Sequence, residues 1–592
     1  MRNPLVEANK AFFGQVNKVR EWHKLPRPLA LLNLRAFRDE LRELNLYDTE
    51  PSPEGNGAPP AEALEELPKH RTYDGSRYDP AHPRMGMAGA RFGRNHPLGI
   101  TVPEEPPKLM TPNPRTVSTK LLVRDSFKPA TTLNVLAAAW IQFQNHDWFS
   151  HGDNSPDESV VVALEPGDEW GEAEMKVRST TRDPEGKSTY VNTVTHWWDG
   201  SQIYGSSEEQ NRPLRTGADG KMILEDGRLP EEDREGLQGI DKTGFNDNYW
   251  VGLSMLHTLF TKEHNAICDY LKASYPTWGD EKLFLTARLV NSALMAKIHT
   301  VEWTPGILAT PVLKQAMHAN WYGALPQWAK TRLPRVDQLE ALFGVVGGEA
   351  RHHAAPYSIT EEFASVYRMH PLIPDDWEMR SHRTGALVEE EEFTNIQGRS
   401  TRATVDRFGW SDLFYSCGVA HPGAITMHNH PRALQNLVRL NGDRVDLGTI
   451  DILRDRERGV PRYNDFREKL RKPRVKRFED LTPNRQWAEE ISEVYDGDID
   501  AVDLQVGLYA EEPPKGFGFS DTAFRIFILM ASRRLKSDRF FTNDYTPDVY
   551  TPEGLQWVER NAMLDALRRH HPELSPAFEG VENAFAPWRP VG

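Results

Sequence analysis

The sequence predicts a mainly α fold, with few short strands, built around one large core. Long stretches with apolar residues at helical spacing recur at 131–146, 249–273, 280–303, 360–370, 483–496 and 520–537. Strand-like alternation is sparse, and no internal repeat marks a solenoid. A chain of 592 residues with 39% hydrophobic and 10% aromatic content can bury such a core.

Taken in order, residues 1–46 read as amphipathic helices: Phe12, Phe13, Val16 and Val19, then Leu31, Leu32, Leu34, Phe37, Leu41 and Leu44 interleaved with arginines. Such a stripe either packs on the core or touches a membrane. Residues 47–115 change texture. Pro51, Pro53, Pro59-Pro60, Pro106-Pro107, Pro112 and Pro114 cannot sit inside helices, so an extended segment wrapping the body is expected. Residues 116–592 should form the catalytic body, with Glu389–Glu392 as a solvated loop.

Net charge is −15, which argues against a nucleic-acid partner. Two cysteines, Cys268 and Cys417, allow no disulfide framework and favour a reducing, cytoplasmic setting. The start Met1-Arg2-Asn3-Pro4-Leu5 does not read as a secretory signal. The apolar runs near Leu136–Ile141 and Ile526–Ala531 are far shorter than a bilayer span of about 20 residues. Membrane contact, if any, would be peripheral.

Two separated segments carry the chemistry. In Val366-Tyr367-Arg368-Met369-His370-Pro371 a histidine that can hold a haem iron follows a tyrosine by three residues. In Gln142-Phe143-Gln144-Asn145-His146-Asp147, Gln142 and His146 are four apart and share a helix face. Polar groups at the end of an apolar helix need partners or a function. Asp147 follows, and Thr195, Asp199 and Ser201 lie at every-other spacing around Trp197. Two carboxylates, two hydroxyls and a main-chain carbonyl suit a hard cation; a turn network uses the same residues.

These segments resemble the animal-type haem peroxidase and cyclooxygenase superfamily. So do Leu256-His257-Thr258-Leu259-Phe260 and the run from Asp451 and Arg454 through Arg456, Gly459, Val460, Pro461, Tyr463 and Asn464. A tyrosine three residues before the proximal histidine separates the radical oxygenases of that superfamily from ordinary peroxidases. The stretches Met85–Asn95, Ala296–Thr304, Ala319–Gly323, Tyr357–Phe363 and Ala531–Phe541 look most like fatty acid α-dioxygenases.

The resemblance implies a haem-peroxidase-like single domain holding haem b and Ca²⁺. His370 would be the proximal iron ligand, with Asn436 orienting its imidazole. His146, helped by Gln142, would handle the proton of a peroxide activator, and Tyr367 would be the radical residue. His299 and Thr304 would hold a long-chain fatty acid's carboxylate, with Arg533 or Arg534. Asp147, Thr195, Trp197, Asp199 and Ser201 would bind the calcium. O₂ would add at the α-carbon to give a 2-hydroperoxy acid. Asn145 stands where ester-linked peroxidases carry an acid, so the haem should be non-covalent. No distal arginine appears in Asn246–Trp250, so general peroxidase turnover should be poor. The rivals are a fatty acid dioxygenase acting at another carbon, a peroxidase of small phenols, and a non-catalytic haem or lipid carrier.

Overall fold

A computed structural model describes residues 4–50, 67–183, 185, 189–330, 332–333, 335–336 and 339–591. Its helices relevant to function are α1 (Pro4–Val16), α2 (Arg27–Leu44), α3 (Leu136–Trp148), α4 (Val251–Ser274), α5 (Asp280–Ile298), α6 (Pro311–Tyr322), α7 (Glu361–Val366), α8 (Leu447–Glu457), α9 (Asp521–Ser537) and α10 (Pro547–Arg560). Among the described residues, strands occur only as three two-stranded antiparallel pairs. The expected mainly α architecture with few short strands is therefore present.

Composition explains why α3 sits at the centre. Leu136-Ala137-Ala138-Ala139-Trp140-Ile141 has strong helix formers and small side chains, which let neighbours approach closely. Every one of these residues is buried. The helix packs on α4, and α4 packs on α5 and α10. It ends where Phe149 turns to extended backbone (φ −153°). His146, Asp147 and Trp148 therefore fall on its last turn, each rotated about 100° from the last.

The proline-rich segment wraps the body where it is described; residues 51–66 lie outside the described residues. Isolated bridges join Tyr47 to Arg94, Arg91 to Val191 and Gly93 to Thr360. The wrap thereby connects the start of α7 to the loop that follows the β1–β2 hairpin (Asn154–Ala163 with Glu174–Thr180). The acidic run corrects an expectation: Leu387–Glu392 is a strand paired with Asp376–Arg380, not a loop. Solvent exposure lets charged residues occupy such an edge hairpin, and Arg407 bridges both Glu389 and Glu391.

Gly86 shows how tightly the wrap is fitted. Its φ is +69°, and a Cβ there would lie 2.6 Å from the Trp197 indole. Its carbonyl accepts from His196 N at 2.9 Å. Gly86→Ala is expected to cost about 2–4 kcal/mol, from left-handed backbone strain plus overpacking. Urea unfolding is the check, and an unchanged midpoint would contradict this packing.

Candidate haem and substrate site

The two chemical segments meet. Asn145, at the end of α3, lies against the turn after α7, its Nδ2 3.4 Å from the Tyr367 carbonyl. The short α7 is capped by Thr360, whose hydroxyl accepts from Phe363 N. It stops at Tyr367, and a 3₁₀ turn over His370–Leu372 follows. Gln505 and Tyr509 donate to the Arg368 carbonyl at 3.0 and 2.8 Å and hold the turn in place.

His370 Nδ1 lies 2.7 Å from Asp451 Oδ2. Nδ1 then carries the proton and Nε2 keeps its lone pair, the arrangement an iron ligand needs. The partner differs from the one expected: Asn436 Oδ1 accepts instead from Arg444 Nε. Burial tends to raise the Asp451 pKa, but His370 and Arg368 hold it below the ordinary carboxylate value. His430 packs edge-on at 5.6 Å from His370, with both its ring nitrogens unpartnered. Burial pushes its pKa down to about 3, so it is neutral. Donor atoms of His370, His430 and Asp451 lie within 4.8 Å of one another. Imidazoles with a carboxylate suit a first-row metal.

In the other segment, His146 is buried, its Nδ1 has no partner, and its ring meets Phe245 edge-on at 4.9 Å. Burial lowers its pKa to about 3, so the ring is neutral. Gln142 is held at both ends: Oε1 accepts from Trp250 Nε1 at 2.7 Å and Nε2 donates to the Asn248 carbonyl at 3.1 Å. Its amide is committed to the Asn248–Trp250 loop rather than aimed freely. The donor set fits a haem between His146 and His370, and an amide at Asn145 offers no carboxylate for an ester bond.

Beside this site lies an aromatic box around a bare cation. Arg534 on α9 is 0% exposed; it makes no ion pair among the described residues, its polar neighbour is the Tyr357 phenol, and none of its guanidinium nitrogens makes a hydrogen bond of full geometry. Its Cζ lies 4.1 Å from the Trp148 ring centroid and 4.3 Å from that of Trp198. Its neighbour Tyr357 is neutral and donates its own proton to the His196 carbonyl. Arg533 points elsewhere, donating to the carbonyls of His352, Ala355, Pro356 and Ser358. Arg533 thus anchors a loop, and Arg534 alone of the two is positioned to meet an anion.

Trp148 also touches the radical candidate and one substrate candidate, meeting the Tyr367 ring at 5.3 Å and the His299 ring at 5.0 Å, both edge-on. Tyr367 stacks on Phe527 at 4.3 Å, and its buried hydroxyl has no partner. Burial raises its pKa, so the phenol keeps its proton. His299 opens a π-helical turn, His299–Trp303, between α5 and the short helix Thr304–Ile307. Such turns are frequent at functional sites. Trp140 Nε1 donates to His299 Nδ1 at 3.3 Å, which puts the ring proton on Nε2. Burial and the Arg534 charge hold His299 neutral. Thr304 donates its hydroxyl to the His299 carbonyl at 2.8 Å, so it would reach a carboxylate only by releasing that bond.

The proposed cation loop is assembled in part. Asp147 Oδ1 accepts from Ser201 N at 2.5 Å, and the Thr195 and Ser201 hydroxyls are 3.3 Å apart. Asp199 gives one oxygen to Arg71 and Tyr78, while its buried Oδ2 has no partner. Burial, with Asp199 nearby, raises the Asp147 pKa to about 7. The Trp197 indole donates to the Gly75 carbonyl, leaving only its main-chain oxygen for a cation. Two buried carboxylates that share one arginine, Arg71, and leave Asp199 Oδ2 unpartnered fit a cation such as calcium.

Sequence reasoning missed Trp148, Trp198 and Asp451. Trp148 lies two residues beyond His146 and could have been noticed by helical phase; Asp451 stood in a quoted block without a role.

Residues 70–582 match the animal haem peroxidase family. "Alpha-dioxygenase PIOX" of Oryza sativa subsp. japonica is 38% identical over 98% of this chain and 94% of its own length. The Pisum sativum protein of the same name is 39% identical over 97% and 90%. The crystal structure of a tyrosine-to-phenylalanine variant of Oryza sativa fatty acid alpha-dioxygenase with palmitic acid superposes with a TM-score of 0.90. It is 36% identical and covers 99% of this chain and 97% of its own. By the span of the family match and the identity to these relatives, this chain belongs to the animal haem peroxidase family and, within it, to the alpha-dioxygenases.

Proposed function

We propose that the chain adds O₂ to the α-carbon of a long-chain fatty acid, giving a 2-hydroperoxy acid through a Tyr367 radical. The observation that carries this reading is the Arg534 guanidinium, buried without a counter-ion in contact with the same tryptophan as Tyr367 and His299. A buried unpaired cation is costly, and a carboxylate neutralises it with charge-assisted hydrogen bonds. His299 Nε2–H adds a second donor, and Thr304 a third if it exchanges its main-chain bond. A head group pinned there puts the adjacent carbon, not mid-chain carbons, beside the Tyr367 oxygen. That a related rice enzyme was crystallised with palmitic acid supports the substrate class.

His370 would hold the haem, which with peroxide as activator would supply the one-electron oxidising power; Tyr367, which has no hydrogen bond to break, would give up its phenolic hydrogen and become the radical. His146, neutral and buried, accepts and returns the peroxide proton. The Tyr367 oxygen then takes a hydrogen atom from the α-carbon. O₂ adds to the carbon radical, and the resulting peroxyl takes a hydrogen atom back from Tyr367. The protein contributes placement: a fixed carboxylate and a tyrosine with no competing hydrogen bond.

Oxygen uptake with palmitate and trace peroxide should fall at least 100-fold in Tyr367→Phe, while haem absorbance stays. Arg534→Leu should raise KM for palmitate at least tenfold, consistent with about 1.5–3 kcal/mol for a charged hydrogen bond. Full oxygen uptake in Tyr367→Phe would show the radical mechanism to be wrong, turnover of phenols without palmitate uptake would leave the peroxidase reading, and oxygenation at a mid-chain carbon would leave the other dioxygenase reading.

The cation assigned to Asp147, Thr195, Trp197, Asp199 and Ser201 is calcium. Chelation with EGTA should lower Tm by several degrees and Asp199→Asn should remove that sensitivity; indifference of the wild type to EGTA would sink the assignment.

Among the described residues no helix is long and apolar enough to cross a membrane. A lipid surface is the partner assigned to the base of the molecule. Phe12, Val19, Leu29 and Leu32 on the α1–α2 hairpin are 58%, 91%, 41% and 48% exposed. Exposed Lys18, Arg20, Lys24 and Arg27 accompany them, against the chain's overall negative charge. Arg27 reaches Gln315 on α6, and past that helix Trp328 is 65% exposed with Arg332 over its ring. Apolar and basic groups together match an anionic bilayer. The chain should co-sediment with vesicles containing phosphatidylserine, less so at 0.5 M salt, where the Debye length is about half that at 0.1 M. Reversal of Lys18, Arg20, Lys24 and Arg27 to Glu should abolish it. Equal retention by the reversed variant would refute the assignment.

A further inference from the structure

The proximal histidine is backed by a full carboxylate. Asp451 lies on the buried face of α8, its side chain 7% exposed, with Oδ2 2.7 Å from His370 Nδ1. Its position is fixed from several directions. Arg368 Nε lies 3.7 Å from Asp451 Oδ1, and Arg368 Nη1 donates to the Asp451 carbonyl at 2.9 Å. Arg368 also bridges Asp455, one turn further along α8. The Arg368 carbonyl is in turn gripped by Gln505 and Tyr509. Asn436, expected to support the imidazole, is turned toward Arg444.

An amide and a carboxylate are not equivalent in this place. An amide oxygen offers a dipole; an ionised carboxylate offers a charge, and hydrogen bonds to charged acceptors are about twice as strong as neutral ones. A charged acceptor draws the Nδ1 proton away from the ring and makes Nε2 a more basic ligand. A more basic axial ligand favours the oxidised iron and lowers the reduction potential. His430, the other ring in this pocket, is buried and lies 5.6 Å off without a hydrogen bond to either group.

We propose that Asp451, rather than Asn436, is the residue that positions His370 and sets the reduction potential of the haem it holds, by accepting the Nδ1 proton as a carboxylate. This rests on His370 being the iron ligand. Loss of the Soret band in His370→Ala tests ligation itself; the Asp451 variants test tuning in protein that still binds haem.

The experiment is a spectroelectrochemical titration of the holoenzyme, with resonance Raman measurement of the iron–histidine stretch in the ferrous form. Asp451→Asn is expected to raise the ferric/ferrous potential, equivalent to a tenfold or greater loss of preference for ferric over ferrous iron, or about 59 mV for one electron. The iron–histidine stretch should fall to lower frequency. Asn436→Ala should leave both readouts at wild-type values. Should Asp451→Asn fail to take up haem, Asp451→Glu, which restores the charge, is expected to recover haem, potential and stretch together. Wild-type potential and stretch in Asp451→Asn, or changes in both in Asn436→Ala, would overturn the assignment. So would an Asp451→Glu holoenzyme with a potential raised as far as that expected for the amide.

Discussion

The site is organised by one constraint: a guanidinium taken out of water and given no anion. Arg534 is wholly buried against Trp148 and Trp198 with unpaired nitrogens. Two indole faces offset part of the desolvation cost through cation–π attraction, worth about 2 kcal/mol when desolvated. The rest of the imbalance is resolved when a carboxylate arrives. The same charge helps keep His299 neutral, so that ring enters as a hydrogen-bond donor and not as a second cation.

One helix end links the three parts. His146, Asp147 and Trp148 are consecutive, and helical rotation sends them toward three different surroundings. His146 meets Phe245, Asp147 meets Ser201 in the cation loop, and Trp148 meets Tyr367, His299 and Arg534. A cation bound at Asp147 would therefore steady the distal histidine and the tryptophan floor of the substrate box together. Cation, haem and substrate placement would then be coupled through a single turn of α3.

Much of this was legible in the sequence. Apolar periodicity located α3, α4, α5 and α9, because long helices with a buried stripe carry a strong signal. Ordered motifs identified His146, Tyr367, His370 and His299 as candidates, and the fold brings their segments together. What was not legible depended on direction. Arg533 and Arg534 are adjacent on a helix buried nearly all round, so phase could not separate them; only the carbonyls around Arg533 do so. Asn436 and Asp451 both lay near the proximal segment in sequence order, but which one faces His370 is set by the packing of α8. Trp148 was missed, since composition does not reveal a cation lying on its face. The acidic strand Leu387–Glu392 was read as a loop because its charges mask a pairing made on an exposed edge.

The central claim is that a carboxylate on Arg534 presents the α-carbon to Tyr367. Oxygen uptake with palmitate deuterated at both α-positions tests it most directly, together with the label content of the product. A normal primary isotope effect and the loss of one deuterium are expected. An isotope effect of unity with both deuterium atoms retained would contradict it.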